Sequence, residues 1–299
     1  MNDIVVGVNL PDVNADPKVT KNRLSVLAED GYDCVEIRLD QFPLILNGEV
    51  QKEYVAVVRS LLQEHRLTYT AHIGRGVNMR DLARYALQKK VLHSSIEVCS
   101  TFGITLLVLH YEAKSRDLLA EEKFLEAHAD AAEYGAGLGV ALRIENIEVE
   151  RVDVVVDFVR KIGRKDFLLN YDTGHAYLAS HHFHFDFLES LRLALPYVGH
   201  VHLSDNFGTF EELRITNRPV YDSLPTGYRM SFGRGDIHIP PFWGQIPFPE
   251  VFRLLRGYDG IFLCEYNSDF FLPFNRSTQE KVRGSIRDAR AGAERGRED

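Results

Sequence analysis

The chain has 299 residues, of which 45% are hydrophobic, and a formal net charge of −8. A chain of that length and content buries a real core, in one large domain or two small ones, and is not expected to be generally disordered. The acidic balance argues against a broad electrostatic footprint for nucleic acid, so small-molecule chemistry is the better expectation.

The N-terminal segment MNDIVVGVNL has neither a basic region nor a long apolar stretch, and no later segment approaches about 20 uninterrupted apolar residues. A cytoplasmic protein without membrane contact is expected. Cys34, Cys99 and Cys264 are widely spaced and form no CxxC unit, which suggests neither a disulfide framework nor a cysteine zinc site.

Apolar runs with strand character alternate with helix-like segments along the whole chain. The first two strands are read at about 4–10 and 34–40, and a third at 67–74. Asn78 is placed to cap a helix that runs to about Thr101 and stops at Gly103. The fourth strand, about 106–112, is followed by a helix capped by Ser115 and ending near Gly135. Strand five covers about 139–147, and its helix stops at Gly163; strand six covers about 167–175, and its helix is closed by Pro196. Strand seven is read at about 198–206 and strand eight at about 260–267.

Between strands seven and eight only Pro247 to Gly257 reads as helix, leaving a long loop at about 207–246, rich in Arg, Tyr, Pro and Gly. Loops of this length are commonly lids or binding loops. The tail from Ala289, about 289–299, is charged and expected to fray. Eight strand–helix units imply an α/β fold, one (β/α)8 TIM barrel spanning 1–299 as a single domain. The doubly wound alternative is disfavoured because no Gly-rich phosphate turn follows strand one.

Six consecutive strands carry a metal-ligand residue type near the same end: His72, His110, Glu145, Asp172, His202 and Glu265. Side chains alternate along a strand, and parity puts His72 with Thr70, Glu145 with Arg143, and His202 with His200 on the less apolar face. One satisfied polar core residue would be unremarkable, but six in step point to a metal site at the rim. Asp172 and His175 in DTGH, and Asp236 and His238 in GDIHIPP, add carboxylate and imidazole close together. A set of His, Asp and Glu without thiolate suits Mn, Zn, Co or Fe as divalent ions and does not choose among them.

Arg75, Arg116, Arg214, Arg218, Arg229 and Arg234 lie in segments beyond strand ends, where bidentate guanidinium contacts would favour an anionic substrate. Glu36 and Arg38 face the barrel by parity and either meet substrate or pair with each other. In the long loop, Trp243, Phe242, Tyr221 and Tyr228 either wall a sugar site or pack the loop onto the barrel.

The motifs AHIG, LHYE, IEN, DTGH, HLSDN, GDIHIPPFWG and CEY, in this order over nearly the whole barrel, resemble the xylose isomerase-like TIM-barrel superfamily, which is related to endonuclease IV. That group includes sugar epimerases and isomerases, inosose dehydratases and endonuclease IV. The resemblance implies a single-metal site of Glu145, Asp172, His202 and Glu265, with His175 beside the substrate. An endonuclease IV-like site would add His72, His110, His175, Asp236 and His238, so one to three metals per chain are implied.

The expected function is a divalent-metal-dependent isomerase or epimerase of a sugar or sugar acid, acting through an enediolate. Glu145 and Glu265 are the expected base and acid, and His175 or His200 the proton shuttle. His72, His110, Arg75, Arg229, Trp243 and Glu36 are the expected substrate contacts. The alternatives are a multinuclear phosphodiesterase and a lyase or dehydratase of the same superfamily. Many barrels of this kind resemble dimers or tetramers, which makes a homo-oligomer an expectation too.

Overall fold

The computed structural model describes residues 3–74 and 76–295. The eight runs form the strands β1 (Val5–Asn9), β2 (Cys34–Arg38), β3 (Thr68–Ile73), β4 (Leu106–His110), β5 (Ala141–Glu145), β6 (Phe167–Asp172), β7 (Val198–Leu203) and β8 (Ile261–Cys264). All neighbours are parallel, and the strands close into a barrel in chain order, β8 pairing back to β1. The register sets Glu36 beside Thr70, His110 beside Glu145 and Asp172 beside His202. Candidate ligands therefore arrive at one rim on adjacent strands.

The period of two separates the strand residues into two sets. Val35, Ile37, Ala71, Ile73, Leu142, Ile144, Val201 and Leu203 belong to the apolar cluster under the surrounding helices. Their alternates Glu36, Thr70, His72, Glu145, Asn170, Asp172, His200 and His202 are buried polar groups inside the barrel. Buried polar groups of this kind persist only where partners or ligands compensate their desolvation, so the interior is built around charge.

Two helix starts differ from expectation. The helix Tyr85–Phe102 is preceded by a 3-10 turn at Leu82–Arg84 that Asp81 caps, while Asn78 makes a local turn by accepting from the Arg80 amide at 2.9 Å. Asp117, not Ser115, caps the helix Leu118–Gly137, because its carboxylate accepts from the Leu119 and Ala120 amides; Ser115 accepts from Asp117 one step earlier. The glycine stops are as expected at Gly103 and Gly163, both left-handed.

A small hairpin, Ile45–Leu46 with Glu49–Val50, turns at Asn47 and Gly48, both at positive φ. An Asn-Gly pair favours this turn, and among the described residues it is the one strand pair that the alternation of longer runs hides.

The connection at 207–246 is not shapeless. It contains the short helices Leu213–Thr216, Arg218–Ser223 and Thr226–Phe232. Its two ends are tied together by Asp205, whose carboxylate accepts from the amides of Asn206 at 2.8 Å, Gly244 at 2.8 Å and Ile246 at 3.1 Å. A Cβ at Gly244 would collide with the Asn206 carbonyl and the Asp205 carboxylate, which is why the smallest residue closes the loop.

The last helix runs Asn275–Arg295, so the fraying expected from Ala289 does not begin there. Buried Val282 and Ile286, and Arg283 reaching the Ile4 and Gly31 carbonyls and Asp33, hold it to the start of the barrel. Among the described residues, no helix is long and apolar enough to cross a membrane.

Candidate metal centre and active site

Among the described residues five groups of ligand atoms lie within 4.8 Å of one another: His72, His110 and Glu145; Glu145, Asp172, His202 and Glu265; His175, Asp236 and His238; and, reaching below the rim, Glu36 with His200 and His202 and Glu36 with His72 and Glu265. Glu145 belongs to the first two. Its Oε1 lies 3.1 Å from His202 Nδ1, and its Oε2 lies 3.2 Å from both His72 Nε2 and His110 Nε2. On the other side of His202, Nδ1 is 3.0 Å from Glu265 Oε2. In the third group His238 Nε2 is 2.9 Å from Asp236 Oδ2, and His238 Nδ1 donates to the Glu265 carbonyl at 2.9 Å. The Asn146 side chain holds the Asp172 backbone through its amide and carbonyl, both at 3.0 Å, and so fixes the DTGH turn on β6.

Several of these atoms are close without hydrogen-bonding geometry. Both His72 nitrogens, Glu145 Oε2, Asp172 Oδ2 and His175 Nδ1 are buried with no hydrogen-bond partner. Orphaned buried polar atoms cost about 1–3 kcal/mol each. A mixed nitrogen and oxygen set pointing at common centres is the donor chemistry that a divalent cation compensates, so these residues fit such an ion.

The electrostatics agree. Burial pushes Glu145 and Glu265 up, but the His202 imidazole and hydrogen bonds outweigh it and hold both well below the ordinary carboxylate range. Burial opposes the charged forms of His72, His175 and His202, yet the surrounding carboxylates raise all three well above 6.5. His238 is raised to about 10, mainly by Asp236 and Glu265 against burial. Asp172 behaves oppositely: burial, with Glu145 and Glu265 nearby, pushes it up to about 7. Without metal the rim therefore stores protons on imidazoles that a cation would have to displace.

Above the rim lies a cavity of about 410 Å³, lined by His72, His110, His175, His238, Asp236 and Glu265 with groups from the surrounding loops. Four arginines reach it, and each is already engaged. Arg38 pairs with Asp40 at 2.8 Å, Arg218 with Asp222 at 2.8 Å, and Arg214 with Glu148. Arg229 donates to the Asp236 carbonyl at 2.6 Å and to the Tyr221 hydroxyl at 2.9 Å.

Other expected contacts are placed elsewhere. Trp243 sits edge-on against Phe271 and Phe274 and does not line the cavity. Tyr228 packs on Phe232 within the loop, whereas Phe242 packs the loop onto Phe248 and Phe252 of the following helix. Glu36 is fully buried beneath the rim and does not pair with Arg38, which turns to Asp40 instead. Arg116 is exposed, and Arg234 pairs with Glu211 at 3.3 Å; neither lines the cavity. Arg75 lies outside the described residues.

His200 is wholly buried below His202, out of reach of the cavity, and burial lowers its pKa, so it is no proton shuttle. Glu145 likewise does not line the cavity, whereas Glu265 does.

Sequence reasoning missed Glu148. It is buried at the β5 end of the cavity, with Oε2 3.3 Å from His175 Nδ1 and its other oxygen paired with Arg214. Against the cost of burial, His175 and Arg214 hold it far below the ordinary carboxylate range. Its signal in the sequence was a second acid three residues beyond Glu145, still at the rim.

The model of the xylose isomerase-like TIM barrel family matches residues 24–289. The chain belongs to that family. No curated protein matches it. Among solved structures it is similar to a xylose isomerase-like TIM barrel protein from Mycobacterium smegmatis in complex with magnesium, at 16% identity and a TM-score of 0.71, covering 97% of this chain and 100% of that one. A D-tagatose 3-epimerase-like protein is similar at 17% identity and a TM-score of 0.70, over 95% and 99% of the two chains. L-ribulose 3-epimerase follows at 18% identity and 0.66, over 97% of each. At such identities the likeness establishes the shared barrel.

Proposed function

We propose that the protein is a divalent-metal-dependent isomerase or epimerase of a sugar or sugar acid. The observation that carries this reading is the group Glu145, Asp172, His202 and Glu265, which opens through Glu265 into a cavity of about 410 Å³, the size range of small-molecule sites. The epimerases among the similar structures support the same substrate class. A cation held by these four residues would supply Lewis-acid polarisation of a substrate carbonyl and stabilise charge that develops on an enediolate.

Glu265 is the ligand that faces the cavity, and it removes or returns the proton on the carbon beside the carbonyl. His175, with Glu148 Oε2 3.3 Å from its Nδ1, faces the same space and serves a substrate oxygen. Arg214 and Arg229 give the far wall a positive character suited to a carboxylate or phosphate. The test is solvent-deuterium exchange followed by NMR over a panel of ketoses, sugar acids and their phosphates. Exchange at the carbon beside the carbonyl, lost in Glu265→Gln, is expected; a metal-loaded protein that exchanges none of them would sink the proton-transfer reading.

One observation favours a second reading, an endonuclease IV-like multinuclear hydrolase. The two oxygens of Glu145 face different histidine groups, as a carboxylate bridging two metals would, and His175, Asp236 and His238 form a third group. The metal-to-protein ratio of protein purified without chelator separates the two. About one metal per chain, unchanged in His72→Ala and His238→Ala, is the epimerase outcome. Two or three, falling in both variants, would direct the substrate search to small phosphate esters, since a confined cavity with engaged arginines is no duplex-tracking groove. A lyase or dehydratase would use the same centre and break a different bond.

A further inference from the structure

Glu36 is the most buried carboxylate near the centre that the reading above leaves without a task. It lies on β2 with no exposure, and it does not line the cavity. Its Oε2 accepts from the Thr70 hydroxyl at 3.1 Å and from His202 Nε2 at 3.3 Å. Its Oε1 lies 3.3 Å from His72 Nδ1 without hydrogen-bonding geometry, and that nitrogen is also 3.5 Å from Glu265 Oε1. His202 turns its other nitrogen, Nδ1, toward the rim, to Glu145 and Glu265. The carboxylate thus stands behind the His202 ring, a candidate ligand.

We propose that Glu36 is a positioning residue that sets which nitrogen of His202 faces the metal. An imidazole that ligates through one nitrogen must carry its proton on the other. A carboxylate behind the ring selects that tautomer, locks the ring orientation and increases ligand basicity; removing such a partner typically costs 10–100-fold in metal affinity. Thr70 spends its hydroxyl proton on Glu36, which orients the carboxylate toward His202. His200 Nε2, 3.7 Å from the same oxygen, is too far to compete. The placement also explains why an acid sits where no substrate reaches: its partner is the back of a ligand ring.

The inference rests on the metal-centre reading but not on the reaction assigned to it. The probes are Co²⁺ and Zn²⁺ alone, titrated into metal-stripped protein against a chromophoric chelator. Glu36→Gln has nearly the same shape but removes the carboxylate charge behind the His202 ring. The expected result is a 10–100-fold weaker affinity with the same number of ions bound at saturation, together with an altered Co²⁺ visible spectrum and wild-type melting of the metal-free protein.

Unchanged affinity would overturn the proposal. A lost equivalent of metal would overturn it too, by making Glu36 a ligand. If Glu36→Gln does not fold, Thr70→Val decides: an affinity loss of about fivefold at constant stoichiometry supports the role, and wild-type affinity refutes it. A wild-type protein that binds neither ion overturns the metal-centre reading itself, an outcome distinct from all of these.

Discussion

His128 offers the clearest quantitative test of the packing around the barrel. It sits on the helix Leu118–Gly137, buried, with Nδ1 donating to the Phe124 carbonyl at 2.7 Å. Phe124, Phe158 and Phe167 surround its ring. Burial lowers its pKa to about 4, the Phe124 carbonyl opposes that shift, and Arg80, held over Phe124, adds to it. A folded-state value below the unfolded 6.5 means that the unfolded chain takes up a proton the native one refuses. Stability from this residue is therefore complete above about pH 6.5 and lost as pH falls toward 4.

The full shift corresponds to about 3 kcal/mol, and about 2 kcal/mol of it is lost by pH 5. In His128→Leu the ring cannot titrate. Urea unfolding of both proteins at about pH 7.5 and pH 5 should show the wild type losing about 2 kcal/mol more than the variant over that interval. Taking the difference removes the rim groups, which titrate equally in both. Parallel pH dependence of the two proteins would refute the reasoning, since it would mean that the imidazole is solvated or already charged.

Raised pKa values at His72, His175, His202 and His238 predict that metal binding releases protons at neutral pH and tightens as pH rises. Calorimetry in buffers of different ionisation enthalpy measures the number, and zero released protons would contradict the assigned charges. Glu145→Gln should lower metal content while preserving the fold, because it removes an oxygen between two ligand groups; circular dichroism and elemental analysis check both halves. Asp205→Ala removes one carboxylate that satisfies three amides and should cost about 2–4 kcal/mol, with faster proteolysis inside 207–246 than in the wild type. Equal cleavage rates would show that the loop is held elsewhere.

What the sequence by itself determined was periodic and local. Alternation along each run placed Glu36, His72, Glu145, Asp172 and His202 inside and the aliphatic residues outside, because a strand allows only two faces. Parallel strands in sequence order then had to deliver their ends to one rim, so the barrel and the candidate ligands were legible together. Glycine stops at Gly103 and Gly163 were legible for the same reason: the left-handed conformation is a property of the residue itself.

Contacts between distant segments were decided only by the tertiary structure. Parity set Glu36 inward but could not say that the floor beneath His202, rather than the cavity, was its place. Arg38 chose Asp40 over Glu36, Trp243 turned to Phe271 and Phe274, and Glu148 met His175 and Arg214 from across the rim. Each choice depends on which partner lies within a few ångströms after closure of the barrel and folding of the 207–246 loop. A side chain's face is set by the backbone bonds next to it, whereas its partner is set by the packing of the whole chain.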